Sequence, residues 1–260
     1  MTNEYHPNRR EFLETVTKYG IGLAATLSLP RILTAAPQTK QAPTISNIYN
    51  PIIDEALNYF ESMHGVSPGR DLVKAMIAVE SGATRDAFRH DPMQIANQGD
   101  FALDVLINRR ENTNLIGDFS RLKGKTKTPW RNKNWDYSQS NMDPASSILG
   151  GVGWLYHKAA DYSTRLIEEG KVRNYTLRSG DTYEKISRNV GTTVESLKKN
   201  NPKLDPAKLK IGQTIKFRKA KQVAFISGWR NWESAVQGYN GGGNPKYLQE
   251  VLESKREMEK

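Results

Sequence analysis

The sequence predicts an α+β protein in which a small strand–helix–helix–strand module is inserted into a mainly α-helical domain. Apolar residues recur at helical spacing in residues 68–82, and residues 148–155 form a second, glycine-rich apolar segment. Both patterns are typical of packed helices. Residues 173–219 instead carry alternating strand and helix signals, and they separate a helix predicted around residues 146–169 from a helical segment at 229–243. The module is therefore expected to interrupt the helical domain.

The composition limits the chemistry that the chain can perform. A chain of 260 residues that is 37% hydrophobic can bury one core and a small satellite domain. It has no cysteine, which excludes disulfides, thiolate zinc sites, iron–sulfur ligation and a cysteine nucleophile. The four histidines (His6, His64, His90 and His157) lie far apart in the sequence without metal-ligand spacing. We therefore expect no metal and no other cofactor.

The positive charge is concentrated in the inserted module. The chain has a formal charge of +10, and residues 173–219 hold twelve Lys/Arg against four Asp/Glu, a net charge of +8. A strongly basic patch favours an anionic polymer as a partner, either nucleic acid or a cell wall rich in carboxylates and phosphates. Charge alone does not distinguish these two partners.

The first 36 residues resemble a twin-arginine export signal. Arg9-Arg10 precedes a mildly apolar stretch, residues 19–29, and small residues lead to a predicted cleavage site near Ala36. The stretch is too short and too rich in glycine for a stable membrane span. The resemblance implies an exported protein, in the periplasm or outside the cell, and residues 37–50 are interpreted as a linker. A basic N-terminal helix of the folded domain is the alternative.

The boundaries of the module follow from residues that start and stop helices. A turn at Gly180-Asp181 leads to a helix that Asp181 or Thr182 can cap, and Gly191 is suited to end it in a left-handed conformation. A second helix is predicted to start at Thr192-Thr193 and to end before Pro202, because proline cannot continue it. Strands are expected before and after this pair of helices.

These signals, with Ser179-Gly180-Asp181-Thr182 and Ile211-Gly212-Gln213-Thr214-Ile215, make residues 173–219 resemble the LysM family along its whole length. The resemblance implies a shallow groove for N-acetylated sugars, and therefore peptidoglycan glycan strands as the partner. Backbone amides can bind acetamido groups, so the side chains near the groove could equally serve to fold the module. The implied groove residues are Gly180, Asp181, Thr182, Tyr183, Asn201, Pro202 and Leu204.

Glu80 is the candidate catalytic residue of the helical domain. It lies four residues after Met76 and eight after Leu72, so it falls on the apolar face of the helix predicted at 68–82. A carboxyl group on a buried face is desolvated, which raises its pKa and suits it to act as a general acid. A solvated glutamate at a frayed helix end is the alternative for this position taken alone.

Four segments in this order resemble the superfamily of soluble lytic transglycosylases and goose-type lysozymes, over roughly residues 50–172 and 220–255. They are Glu80-Ser81-Gly82, Pro92-Met93-Gln94-Ile95, Ile148-Leu149-Gly150-Gly151-Val152-Gly153-Trp154-Leu155 and Ala235-Val236-Gln237-Gly238-Tyr239-Asn240-Gly241-Gly242. The resemblance implies a lysozyme-like fold for residues 51–172 and 220–260. It also implies that Glu80 is the acid/base, that Ser81 and Gln94 line the cleft, and that Tyr239 and Asn240 close it.

The chain departs from the family pattern at two places. Asp91-Pro92 stands where glycine and an aliphatic residue usually precede Met-Gln, and residues 108–141 form a long polar stretch without a counterpart. The stretch contains several basic residues together with Trp130 and Trp135, which could grip glycan or nucleic acid. We interpret it instead as a mobile, solvated loop.

The resemblance implies cleavage of the bond between N-acetylmuramic acid and N-acetylglucosamine in peptidoglycan. A hydrolase of this kind usually needs a second carboxylate, for which Asp86, Asp91 and Asp100 are candidates. A lytic transglycosylase, as the family is understood, needs only one glutamate, and we favour it because Glu80 alone has a sequence-level argument. The alternatives are a muramidase and a non-catalytic wall-binding protein. A nucleic-acid binder would explain the basic module but not the export signal, so no nucleic acid is expected.

Overall fold

A computed structural model describes residues 47–81, 85–96, 101–125, 130–131, 134–135 and 141–260. They form two compact units: the first takes the described residues up to Ala160 together with Trp229–Lys260, and the second is Asp161–Gly228. The predicted export signal, residues 1–36, lies outside the described residues, as does most of the predicted linker.

The first unit is mainly helical, and the second has the order strand, helix, helix, strand. Of the described residues, the helices are α1 (Asn50–His64), α2 (Arg70–Ser81), α3 (Arg85–His90), α4 (Ala102–Ile107), α5 (Pro144–Ala159), α6 (Tyr183–Val190), α7 (Val194–Asn200), α8 (Trp232–Tyr239) and α9 (Tyr247–Met258). The strands are β1 (Trp130–Arg131), β2 (Asn134–Trp135), β3 (Ala160–Thr176) and β4 (Thr214–Trp229). β1 pairs with β2 antiparallel, and β3 pairs with β4.

Helix α5 is the centre of the first unit because nearly all of its residues are buried. Its glycines permit close approach, as the sequence predicts: a Cβ added at Gly151 would lie 2.5 Å from the Met93 Cβ, and one at Gly153 would lie 2.3 Å from the Phe119 ring. Side chains at these positions would displace the neighbouring core. Helix α5 packs against α1 and α8, while α9 packs along α2. This arrangement brings the C-terminal ends of α2, α5 and α8 to one side of the unit, where their end residues line a common cleft.

The folded unit begins earlier than the sequence predicts. Residues 47–50, assigned to the linker, form a 3₁₀ turn that continues into α1. Tyr49 is buried, its hydroxyl donates to the Phe88 carbonyl, and the two rings lie 4.7 Å apart. The polar residues around Tyr49 are typical of a linker, and the contact that orders them is 39 positions away in the sequence.

The interpretation of residues 108–141 as a solvated loop is wrong for its first part. Residues 110–122 form two 3₁₀ turns, and four of their side chains enter the core. These are Thr113, Ile116, Phe119 and Leu122. They recur at every third position, the spacing at which 3₁₀ side chains align, and the backbone turns sharply where this pattern begins, with positive φ angles at Arg109, Glu111 and Asn112. Lys123 and Lys125 are described, and Lys125 pairs with Asp143 at 2.5 Å, whereas Lys127 and Lys133 lie outside the described residues.

The second unit has its own small core, built from both helices and both strands. The predicted helix boundaries are confirmed: Thr182 and Thr193 cap α6 and α7 by accepting bonds from Lys185 N and Ser196 N, and Gly191 ends α6 with φ of +67°. The buried residues of this core are Leu177, Tyr183, Ile186, Leu197, Ile215 and Phe217.

The two long strands of the second unit form a ribbon that the sequence does not predict. The helix expected over residues 146–169 ends at Ala159, and β3 begins at Ala160. Ser163 faces Ser227 with 3.0 Å between the hydroxyl oxygens, and Leu177 N donates to the Gln213 carbonyl, so β3 and β4 run antiparallel. Most ribbon residues are partly or fully exposed, so they show no pattern of burial that would indicate a strand.

Glu168 attaches this ribbon to the module's second helix. Its carboxylate accepts from the Ser196 hydroxyl at 2.6 Å and from the Asn200 amide at 2.8 Å, and it pairs with Lys199 at 3.1 Å. These donors hold the pKa of Glu168 below its usual value. Further along the ribbon, Lys221 pairs with Glu169 at 3.0 Å, so the two chain segments that enter and leave the module lie side by side.

Within the described residues, no helix combines the length and the apolar character that crossing a membrane requires.

A buried carboxyl group in the first unit gives a testable pH dependence. Both carboxylate oxygens of Glu55 are enclosed without a hydrogen-bond partner among the described residues, and burial raises the pKa of Glu55 to about 7, an effect that the Arg121 charge partly opposes. Because the pKa is higher in the folded state, the stabilisation by protonated Glu55 is complete below pH 4.5 and is lost as the pH rises through 7.

We therefore expect Glu55→Gln to become more stable than the wild type as the pH rises from 5 to 8. After allowance for partial solvent exposure the difference is about 1 kcal/mol, or about 2–4 °C in Tm. Thermal melts of both proteins across this pH range measure it, with Glu61→Gln, on the exposed side of the same helix, as the control. Parallel pH profiles for the wild type and Glu55→Gln would contradict the prediction.

Candidate functional site

A cleft of about 340 Å³ lies in the first unit where the ends of α2, α5 and α8 meet. Four of the predicted site residues lie on it: Glu80, Gln94, Tyr239 and Asn240. They come from three separate parts of the sequence, and the fold brings them together on one cleft. The remaining lining residues are Phe101, Trp154, Lys158, Gly238, Gly241 and Gly243.

Glu80 is the penultimate residue of α2 and is half-buried on the cleft wall. Helix α9 places Tyr247 beside it, and Tyr247 is 4% exposed. Burial, and then the neighbouring Glu80 carboxylate, raise the pKa of Tyr247 far above its usual value. This hydroxyl therefore keeps its proton. Glu80 lies on the cleft with this phenol beside it.

The loop that carries Gln94 is held against both neighbouring helices. The Gln94 amide donates to the Glu80 carbonyl, and the Tyr239 hydroxyl donates to the Met93 carbonyl at 2.8 Å. Gln94 has φ of +49°, a conformation that is uncommon for a residue other than glycine and costs about 1–3 kcal/mol. The surrounding contacts maintain this strained backbone, which directs the Gln94 side chain towards Glu80.

Ser81 supports this loop and does not line the cleft as predicted. It is 1% exposed, and its hydroxyl lies 2.6 Å from the Ile77 carbonyl and 3.0 Å from the Pro92 carbonyl. Ser81 follows Glu80 directly in α2 and therefore points to a different side of the helix, because successive residues are about 100° apart around a helix. Ser81 therefore positions the loop from beneath.

Asp91, a candidate for the second carboxylate, is completely buried and is absent from the cleft wall. Its Oδ1 accepts from the Ser147 hydroxyl at 2.5 Å, and its Oδ2 accepts from Ala96 N at 2.9 Å. The same Ser147 hydroxyl accepts from Met93 N at 3.0 Å. Asp91 thus attaches the loop to α5. Among the described residues of the lining, Glu80 is the only carboxylate, while the Asp86 side chain and Asp100 lie outside the described part.

The turn after α8 forms the far side of the cleft. Asn240 ends the helix, and its amide donates to the Asn244 carbonyl at 3.2 Å. Gly241 and Gly242 have φ of +61° and +86°, which glycine adopts without strain, so the turn depends on glycine at these positions.

Six lining residues were not predicted as site residues: three glycines, and Phe101, Trp154 and Lys158. The sequence did place Trp154 on the glycine-rich helix, and Lys158 follows it at i+4, the spacing at which helical side chains meet. This spacing was the sequence signal that could have identified Trp154 and Lys158 as a pair. Phe101 precedes α4 and is 51% exposed, and nothing in its local sequence indicates that the fold places it on the cleft.

Several predicted groove residues of the second unit have side chains that fold the module. Tyr183 is 1% exposed in the core, and Asp181 Oδ2 accepts from the Tyr175 hydroxyl at 3.0 Å and from Arg178 N at 2.7 Å. Thr182 caps α6, and Leu204 is half-buried against the core. Gly180, with φ of +79°, and Pro202 are exposed.

Asn201 connects the end of α7 to strand β4. Its amide nitrogen donates to the Leu197 carbonyl at 2.8 Å and to the Lys216 carbonyl at 2.6 Å, and its amide oxygen accepts from Lys216 N at 2.8 Å. The side chain is therefore fully engaged within the module and leaves backbone groups to meet a ligand.

Comparison with known proteins identifies the module. Residues 175–218 match the LysM domain family, a peptidoglycan-binding module, and fall inside the second unit. No lysozyme-like or transglycosylase family model supports the first unit. No curated protein and no solved structure matches the chain. A LysM domain indicates binding to peptidoglycan glycan chains, and such domains occur in exported proteins associated with the cell wall.

Proposed function

We propose that this protein is an exported peptidoglycan-binding protein that reaches the wall through its LysM domain. The observation that carries the proposal is the family match over residues 175–218, on a unit with its own core. The net charge of +8 on residues 173–219 supports it, because cell walls are rich in carboxylates and phosphates. The sequence of residues 1–36, with Arg9-Arg10, supports export by the twin-arginine route into the periplasm or beyond.

Removal of the second unit tests the binding proposal. Arg230 N donates to the Ala159 carbonyl at 2.7 Å, so a short glycine-serine linker can replace residues 161–228 without separating the flanking segments. We expect the shortened protein to bind purified peptidoglycan at least about tenfold more weakly in a pelleting assay, because the proposed binding module is lost. Circular dichroism and thermal melts of the shortened protein control for loss of the remaining fold.

Unchanged binding by the shortened protein would contradict the proposal. Tight binding of the full chain to DNA with a steep salt dependence, without binding to peptidoglycan, would instead support a nucleic-acid binder.

A second candidate function is cleavage of the glycan strand by a lysozyme-like first unit acting as a lytic transglycosylase. The observation that favours it is the cleft, where Glu80 is the only carboxylate among the described lining residues and lies with Gln94, Tyr239 and Asn240. A hydrolase of the usual type would place a second carboxylate across the scissile bond. The candidate Asp91 has both oxygens engaged within the core.

In this mechanism Glu80 acts first as an acid and then as a base. Its proton passes to the glycosidic oxygen as the bond from muramic acid C1 to that oxygen breaks. The resulting Glu80 carboxylate then takes the proton of the C6 hydroxyl of the same sugar, while the oxygen of that hydroxyl forms a bond to C1. The products are a free N-acetylglucosamine end and a 1,6-anhydromuramic end, and no water is consumed.

Product analysis distinguishes the candidates. Mass spectrometry of digested peptidoglycan would find anhydromuramic ends after transglycosylation and reducing muramic ends after hydrolysis by a muramidase. Absence of any cleavage by the wild type would leave the non-catalytic binding protein.

A further inference from the structure

The cleft contains a positive charge that the proposed chemistry does not use. Lys158 is in the last turn of α5 and is the only basic residue among the described residues of the lining. Lysine side chains on a protein surface are usually mobile, so a lysine selects a ligand only if its ammonium group is held in place.

The contacts of Lys158 give its ammonium group a defined position. The aliphatic stem lies against Gly238, where an added Cβ would be in ordinary van der Waals contact, 3.7 Å, with Cβ and Cδ of Lys158. The ammonium lies 4.0 Å from the centroid of the Trp154 ring and 5.8 Å from that of Phe101, within the range of a cation–π interaction. The cation is therefore held on the cleft wall before a ligand arrives, which reduces the entropy lost on binding.

Trp154 is itself fixed from several sides. Its indole nitrogen lies 3.4 Å from the Tyr239 carbonyl, the His157 ring stacks on it at 4.9 Å, and Phe101 meets it edge to face at 5.6 Å. Only 3% of Trp154 is exposed, so it serves mainly as a support for the cation. Phe101, 51% exposed, offers an apolar ring to the ligand beside the charge. A hydrophobic ring next to one fixed cation fits a saccharide that carries a carboxylate.

We propose that Lys158 makes the cleft selective for saccharide strands that bear carboxylates over neutral strands of N-acetylglucosamine. The proposal rests on the function proposed for this cleft. In peptidoglycan the carboxylate has two sources: the lactyl group of muramic acid, when no peptide is attached, and the stem peptide, when the lactyl group is bound as an amide. Both present the same chemistry to an ammonium group.

Three soluble ligands of equal glycan length separate these sources. Strands stripped of peptide carry lactyl carboxylates only, strands with stem peptides carry peptide carboxylates only, and chitin oligosaccharides carry none. Cleavage kinetics of the full chain are measured on each ligand. Equilibrium binding of each ligand is measured with the full chain carrying Glu80→Gln, which retains Lys158. The variants are Lys158→Gln, Lys158→Met, which keeps an aliphatic stem, and Lys158→Arg, which keeps the charge, with Lys255→Gln on α9 as the matched control.

We expect Lys158→Gln and Lys158→Met to raise KM or Kd about tenfold for one or both carboxylate-bearing strands, with kcat little changed. Lys158→Arg should retain most of the affinity, and binding of chitin oligosaccharides should not change. The LysM domain is identical in all variants, so differences between them report on the cleft. The strand that responds identifies the source of the carboxylate.

Equal weakening for all three ligands would overturn the inference, because it would mean that Lys158 only maintains the shape of the cleft; no effect on any ligand would overturn it as well. If the wild type cleaves none of the strands but binds carboxylate-bearing ones through Lys158, the proposed cleavage fails while the selectivity stands. If the wild type cleaves the strands and the Lys158 variants cleave them equally well, the proposed cleavage stands and the selectivity fails. A wild type that neither cleaves nor binds soluble strands beyond what its LysM domain binds would overturn both.

Discussion

Glu80→Gln is expected to lower the rate of glycan cleavage by about 10²–10⁴-fold while leaving binding to peptidoglycan unchanged. Glutamine has nearly the same shape as glutamate and fits the same place beside Tyr247, but it cannot give a proton to the glycosidic oxygen or take one from the C6 hydroxyl. Binding should persist because the LysM domain, residues 175–218, belongs to the other unit. Release of soluble fragments and a pelleting assay measure the two properties separately.

Glu253→Gln is the matched control for this experiment. It makes the same substitution in an exposed residue of α9, the helix that carries Tyr247. The control should cleave at the wild-type rate. Cleavage by Glu80→Gln within about threefold of the wild type would show that Glu80 is not the acid/base.

Asp91→Ala should cause the largest loss of stability of the substitutions considered. It leaves two buried donors, the Ser147 hydroxyl and Ala96 N, without their acceptor. Each such group costs about 1–3 kcal/mol, so the free energy of unfolding should fall by about 3 kcal/mol, and Tm by roughly 6–12 °C. Thermal and urea unfolding measure the effect. The Gln94 loop should also move, so cleavage should decline together with stability.

A double-mutant cycle with Ser147→Ala tests whether this role is structural. We expect Ser147→Ala to cost less than Asp91→Ala, and the double variant to be more stable than the sum of the single losses predicts, because the two groups share one hydrogen bond. An Asp91→Asn variant with wild-type stability and a much lower kcat would instead identify Asp91 as a catalytic carboxylate.

Local sequence patterns predicted the parts of the fold that local interactions determine. Thr182, Gly191 and Thr193 were recognised as helix boundaries because a cap depends on neighbours within four residues. Asp143 caps α5 through an equally local contact, by accepting from Ser146 N at 2.8 Å. The apolar face of α2 was likewise sufficient to place Glu80 near the core.

Contacts between distant segments account for what the sequence did not reveal. The ribbon depends on pairing between residues about 50 positions apart, and its exposed side chains carry no periodic signal. Asn201 and Tyr183 have types that suit a ligand groove, and only the packing of α6 and α7 against the strands shows that they are buried. Lys158 and Phe101 meet because α4 and α5 pack together.

The side-by-side course of β3 and β4 affects how the protein withstands proteolysis. A binding module at a chain terminus is released by one cut in its linker. Here the LysM domain is joined to the rest of the chain by two strands, and Ser163–Ser227, Glu169–Lys221 and the backbone bonds of the ribbon connect those strands to each other. A single nick in either strand would leave the module attached, so its separation requires two cuts at nearby positions.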